Sequence, residues 1–249
     1  MNRIEISNET MKHLYGSDEN KIKQTDKDFF DIKTRLVYGE VYNHIKLSSK
    51  MRELILLVVA TTNLTMKEVS KHTKAALSEK VAPEAIKEAV YSAGAYIGLG
   101  KVEMAVEVVN KVFEEEGISI VESQKTVTED SRLQKGIKAQ KDIFGEKIDN
   151  MRASAPKNQK HIQDFLSAYC FGDFYTRKSL DLKERELLTF SIITAQGGCE
   201  PQLVAHVAGN VAMGNGKDVL LDALTLCMPY IGFPKALNAL AVVNKVIED

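Results

Sequence analysis

Tyr96-Ile97-Gly98, followed by Val108-Val109-Asn110-Lys111-Val112, returns as Tyr230-Ile231-Gly232 and Val242-Val243-Asn244-Lys245-Val246, 134 positions later in both segments. A constant offset across two separated segments identifies a tandem duplication. What both copies keep is read as architecture, and where they part marks chemistry lost or retained. The 249 residues divide into two homologous units, expected at 1–120 and 131–249. The polar stretch between them, Gly117 to Asp130, loses helical periodicity and reads as a linker.

Working outward from the repeat, the dominant pattern is helical. MRELILLVVATT, between Lys50 and Asn63, and ERELLTFSIITA, between Lys183 and Gln196, are apolar runs with few breakers, so each unit is expected to hold a mostly buried central helix. Ala82-Pro83-Glu84 opens a later helix with proline in its first turn, and Lys217-Asp218 opens the equivalent one after Gly214-Asn215-Gly216. The last helices, Val102 to Glu116 and Pro234 to Ile247, place Ala and Val at helical spacing, which suits close packing. Met11 to Gly16, ending LYG, and Gly136 to Gly145, ending IFG, suggest a preliminary helix in each unit. No segment alternates with period two between hairpin turns, so the expected fold class is all-α, built from two tandem helical units.

Composition narrows the function. A formal charge of -1 gives no reason to expect nucleic acid or an anionic membrane as partner. No apolar run reaches the length of a spanning helix and Met1 to Thr10 holds no secretory h-region, so a cytoplasmic location is expected. Three cysteines, Cys170, Cys199 and Cys227, are too few and too scattered for a disulfide framework, and Cys170 and Cys227 read as core thiols. With no CxxC pair and no dense His/Cys cluster, neither a metal nor another cofactor is expected.

The units differ most clearly after the central helix. The first reads NLTMKEVSKH to His72, and the second reads QGGCEPQLVAH to His206, with one extra residue. Only the second places Gly198, Cys199 and Glu200 ahead of its histidine, so the second unit is the expected site. Glu200 precedes Pro201 at a helix start, where the positive end of the helix favours an ionised carboxylate, and the same position can lower a thiol pKa at Cys199. Cys199 and His206 are seven positions apart, a rise of roughly 10 Å along a helix, too far for a direct thiolate–imidazole hydrogen bond. Arg52-Glu53 and Arg185-Glu186 stand at matching positions of the central helices and read either as structural ion pairs or as an anion-binding arginine beside a carboxylate.

Gly172-Asp173-Phe174-Tyr175, Leu180, Arg185, Glu200, His206, Gly214 and Asp218 follow the order and approximate spacing of a known signature. In it the chain resembles the carboxymuconolactone decarboxylase family, which also includes alkyl hydroperoxidase D. The first unit matches in Gly39-Glu40-Val41-Tyr42, Leu47, Arg52 and His72, but has Met66 for the glutamate and Lys80 for the glycine, and so reads as a degenerate site kept for assembly.

The resemblance implies an all-helical fold assembled about a three-fold axis, with three tandem chains rebuilding a ring of six units, hence a homotrimer. It also implies a small-molecule substrate and two candidate chemistries. As a decarboxylase acting on a carboxylated lactone, the second unit would use His206 and Glu200 for proton transfer and Arg185 for the substrate carboxylate. As a thiol-dependent hydroperoxide reductase it would use Glu186, Cys199 and His206; Gln202 stands where the second cysteine is expected, so an external thiol would have to resolve Cys199. A non-enzymatic assembly role is the third reading.

Overall fold

The computed structural model describes residues 1–16, 21–119 and 122–248, so the expected boundary at residue 120 and part of the linker lie outside the described residues. Among the described residues the chain is helical, without strands. In the first unit α1 spans Arg3–Tyr15, α2 Lys27–Thr34, α3 Ser49–Thr62, α4 Met66–Ser78, α5 Pro83–Ser92 and α6 Leu99–Glu115. The second repeats them as α7 Arg132–Phe144, α8 Lys160–Phe165, α9 Leu182–Gln196, α10 Glu200–Ala212, α11 Lys217–Ile231 and α12 Phe233–Val246. No helix among them is long and apolar enough to cross a membrane.

Local chemistry sets where these helices begin and end. Asn2 and Asp181 form capping boxes with Glu5 and Glu184 at the starts of α1 and α9, and the Ser48 hydroxyl caps α3 by accepting from the Met51 N–H. The preliminary helices expected from the LYG and IFG endings are α1 and α7, closed by Gly16 and Gly145 at φ 71° and 69°.

A feature absent from the sequence reading follows α2 and α8. Both run on into π-helical turns, Arg35–Val41 and Leu166–Tyr175, that carry the Gly39 and Gly172 motifs. These glycines are there for contact rather than for turn geometry. A Cβ on Gly39 would run into the Arg3 carbonyl, and one on Gly172 into the Arg132 carbonyl, because α1 and α7 cross the π turns backbone against backbone. The acidic residue after each glycine then clamps the crossing: Arg3 pairs with Glu40 at 3.0 Å, and Arg132 with Asp173.

The central helices α3 and α9 pack on each other, and each also packs across the unit boundary, α3 on α11 and α9 on α5. Burial is nearly complete from Glu53 to Thr62 and from Arg185 to Ala195. Lys50 at the start of α3 reaches Glu184 at the start of α9 at 2.5 Å, so the two helix starts lie side by side. One apolar cluster runs through both halves, from Leu54 and Leu57 to Leu188, Ile192 and Ala223. The units are repeats in sequence but share a core.

The crossings make a direct prediction. Gly39→Ala and Gly172→Ala each force a backbone shift and should lower stability by about 1–3 kcal/mol in urea unfolding. Gly100→Ala, with open space around its Cβ position, should be neutral or stabilising.

Candidate functional site

At the centre of the second unit is a carboxylate without solvent. Glu186 on α9 is fully buried, and a buried carboxylate is tolerated only when its oxygens are hydrogen-bonded. Both are. The Tyr175 hydroxyl, delivered by the π turn, donates to Oε1 at 2.9 Å, and His206 Nδ1 on α10 meets Oε2 at 2.9 Å. Because a carboxylate can only accept, this bond calls for a hydrogen on Nδ1 and turns Nε2 away from the glutamate.

Neighbouring groups hold that arrangement. Burial first, then the Glu186 charge, pushes Tyr175 well above the ordinary tyrosine pKa, so its phenol stays a donor. Gly209 leaves room for the carboxylate, since a Cβ there would press on Glu186 Oε2. The first unit also contributes: Tyr96 lies edge-on to the His206 ring at 5.7 Å, and its hydroxyl is 2.9 Å from that of Tyr175. Phe144 closes another side of the imidazole at 5.4 Å.

The same chain exists in the first unit. Tyr42 donates to Glu53 Oε1 at 2.7 Å, and His72 Nδ1 lies 2.9 Å from Glu53 Oε2. Tyr230 of the second unit packs edge-on to His72 at 5.8 Å, mirroring Tyr96. Each histidine is thus covered by a tyrosine from the other unit. The departures by which the first unit reads as degenerate, Met66 and Lys80, leave this Tyr–Glu–His chain in place. Lys80 holds φ 60° where Gly214 holds φ 86°, a strained but sufficient replacement at a turn. Met66 and Glu200 both open the histidine helix.

The other expected residues lie elsewhere. Glu200 is exposed at the first position of α10 and makes no hydrogen bond with His206, whose carboxylate partner is Glu186. Cys199 is half-buried, accepting from Gln196 Nε2 at 3.4 Å and donating to the Gly197 carbonyl at 3.5 Å. It lines a cavity of about 150 Å³ with Gln196, Glu200, Lys235 and Asn238, while Glu186 and His206 are not among the lining residues.

Arg185 is fully buried, and the protein holds all three of its guanidinium nitrogens. Nε donates to the Leu180 carbonyl at 3.2 Å, Nη1 to Ser92 at 3.0 Å, and Nη2 to the Arg177 carbonyl at 3.1 Å and to Glu88 at 3.4 Å. Arg177 completes the cluster on Glu88 at 2.7 Å. Arg185 therefore ties the two units together and presents no face to a substrate carboxylate, which corrects its expected role. Nor is it an ion pair with Glu186. Arg52, at the matching place, lies over the Tyr42 ring at 5.1 Å and bonds Ser49.

The two core thiols behave as expected. Burial pushes Cys170 and Cys227 up to about 12.

Two units of one fold, each with a Glu–His pair buried between helices, match known proteins. Residues 27–111 and 160–245 match the model of the carboxymuconolactone decarboxylase family, and the chain belongs to that family. A nitrosuccinic acid decarboxylase of Metarhizium robertsii is 30% identical over 115 residues, covering 46% of this chain and 80% of that protein. A 4-carboxymuconolactone decarboxylase of Acinetobacter baylyi is 24% identical over 124 residues, covering 49% of this chain and 92% of its own length. Each relative thus spans about half of this chain. A solved structure described as a gamma-carboxymuconolactone decarboxylase subunit from Burkholderia xenovorans covers 99% of this chain and 98% of its own at 18% identity, with a TM-score of 0.58, and shows the same fold.

The thiol environments predict one reactive cysteine. In the native protein at pH 8 an aromatic disulfide reagent should titrate one thiol per chain rapidly, and Cys199→Ser should remove that reaction while leaving Cys170 and Cys227 silent until denaturant is added.

Proposed function

We propose that the protein is a decarboxylase of a small carboxylated substrate, working by acid–base chemistry at its Glu–His pairs. The observation that carries this reading is the Tyr–Glu–His chain itself, present twice with the same connections: Tyr42–Glu53–His72 and Tyr175–Glu186–His206. The decarboxylase names of the two relatives support it at the level of reaction class.

The chemistry needs what such a pair supplies. When the bond between the substrate carbon and its carboxylate breaks, CO2 leaves and the bonding electrons remain on carbon. That carbon then takes a proton from imidazolium Nε2, and the buried glutamate at Nδ1 stabilises the imidazolium before transfer and fixes the ring. Glu200 and Arg185 have no part in this step, one lying exposed and the other committed to Glu88 and Ser92.

Release of CO2 from 4-carboxymuconolactone and from nitrosuccinic acid tests the reading. The wild type should decarboxylate at least one, and the double variant His72→Gln/His206→Gln should lose the activity by at least a hundredfold. A wild type inactive on both, or an active double variant, contradicts it. The alternative thiol peroxidase reading rests on Cys199, the half-buried thiol beside a cavity. It predicts thiol-dependent hydroperoxide consumption lost in Cys199→Ser, whereas the decarboxylase reading has CO2 release unchanged in that variant.

We further propose assembly as a homotrimer. Phe29 and Ile32 on α2 and Ile162 and Phe165 on α8 are exposed apolar side chains at matching places in the two units, as a ring of repeated contacts requires. Light scattering should give three times the 27.7 kDa chain mass, and Ile32→Asp/Phe165→Asp should reduce it.

A further inference from the structure

Cys199 and Glu200 stand out in the sequence and take no part at the Glu186–His206 pair, yet they line a cavity of their own. It lies where α9 turns into α10, with Lys235 and Asn238 of α12 also on its wall, and its volume is about 150 Å³. A space of this size holds about six non-hydrogen atoms, the bulk of a small organic ligand.

The first unit shows what is particular to this place. There Leu64, Thr65 and Met66 stand where the second unit has Gly198, Cys199 and Glu200. The Thr65 hydroxyl donates to the Ala60 carbonyl at 3.2 Å, and Met66 packs on the core. Gly198 keeps the positive φ of Leu64, 69° against 57°, but with open space where a side chain would begin. The central helices part in the same way. Thr61 donates to the Leu57 carbonyl at 2.9 Å, whereas its counterpart Thr194, only 2% exposed, lines the cavity with its hydroxyl left without a partner. A buried hydroxyl without a partner costs stability, which a ligand in the cavity would restore.

Charge on the wall indicates the ligand. Lys235 bonds the Ala195 carbonyl in the last turn of α9, and Glu200 stands exposed at the first position of α10. Among the described residues neither forms an ion pair, with the other or with any further side chain. A cation and an anion held apart on one cavity wall match a zwitterion, whose carboxylate meets the lysine and whose ammonium meets the glutamate. The amides of Gln196 and Asn238 add donors and acceptors. Between them sits the half-buried Cys199 thiol. Cys170 and Cys227 are buried and do not line the cavity, so no second thiol of the chain stands ready to displace a group bound to Cys199.

We propose that this cavity is a thiolation site, at which Cys199 forms a mixed disulfide with a small zwitterionic amino-acid thiol supplied as its symmetrical disulfide. The ligand's carboxylate lies at Lys235 and its ammonium at Glu200. In the step Cys199 gives its proton to solvent, and the thiolate attacks one sulfur of the disulfide. The new S–S bond forms as the old one breaks, and the departing thiolate takes a proton from solvent. One disulfide is consumed and one is made, so no hydroperoxide or other oxidant is needed. The modification stands apart from the decarboxylation and from the peroxidase alternative.

Cystine is the probe, with the uncharged hydroxyethyl disulfide as control, and intact-protein mass spectrometry counts the adducts. Each rate is divided by that of the same disulfide with free N-acetylcysteine, which removes differences in intrinsic reactivity. The native protein should take up one half-cystine, none in Cys199→Ser, with a normalised rate about tenfold above that of the control. Lys235→Met, which keeps the aliphatic stem, and Glu200→Gln, at an exposed position, should each slow cystine by about threefold or more and leave the control unchanged, with the fold intact by circular dichroism. No adduct, an adduct that persists in Cys199→Ser, equal normalised rates for the two disulfides, or variants that slow neither or slow both alike would overturn the proposal.

Discussion

A carboxylate with no exposure to water, placed between packed helices, governs the architecture of both units. Glu53 and Glu186 are fully buried in the central helices, and removing a carboxylate from water is costly unless each oxygen finds a donor. The donors come from different elements: a tyrosine from the π turn and an imidazole from the helix that follows. The π turn must therefore lie close to the central helix, and its glycine lets the unit's first helix cross it with backbone in contact. The motif glycine, the motif tyrosine and the histidine are in this way three consequences of one buried charge.

The duplication acquires a physical purpose in the same terms. Each imidazole is covered by a tyrosine of the other unit, Tyr230 over His72 and Tyr96 over His206, and Arg185 of the second unit is held by Glu88 and Ser92 of the first. Neither site is complete within its own half. Two equivalent frames in one chain also permit the residues around them to diverge: Tyr15, Tyr38, Glu68 and Lys71 stand at the positions that Phe144, Phe171, Gln202 and Ala205 hold in the second unit.

Much of the frame was legible in the residues, and the site only in part. Apolar runs and Pro–Gly punctuation located the central and closing helices because burial and backbone sterics act locally. The correspondence of His72 with His206 was equally visible. Partnership was not. Glu200 is close to His206 in sequence, but a residue at a helix start points away from one almost two turns later, whereas Glu186, on the preceding helix, folds back against it. Arg185 resembled an anion-binding residue because its partners, Glu88 and Ser92, are in the other unit. The covering tyrosines belonged to the very repeat that disclosed the duplication, yet nothing local says that each serves the opposite half. The π turns left no sequence trace beyond the glycine and aromatic that require them.

The central claim is that each unit holds a buried histidine whose Nδ1–H is given to a glutamate, leaving Nε2 for chemistry. Neutron diffraction from deuterated crystals locates those hydrogens directly. The account predicts deuterium on Nδ1 of both His72 and His206, directed at Glu53 and Glu186, and on the hydroxyls of Tyr42 and Tyr175 directed at the same carboxylates. Bare Nδ1 in either ring, with the deuterium on the glutamate or on Nε2 alone, would contradict it.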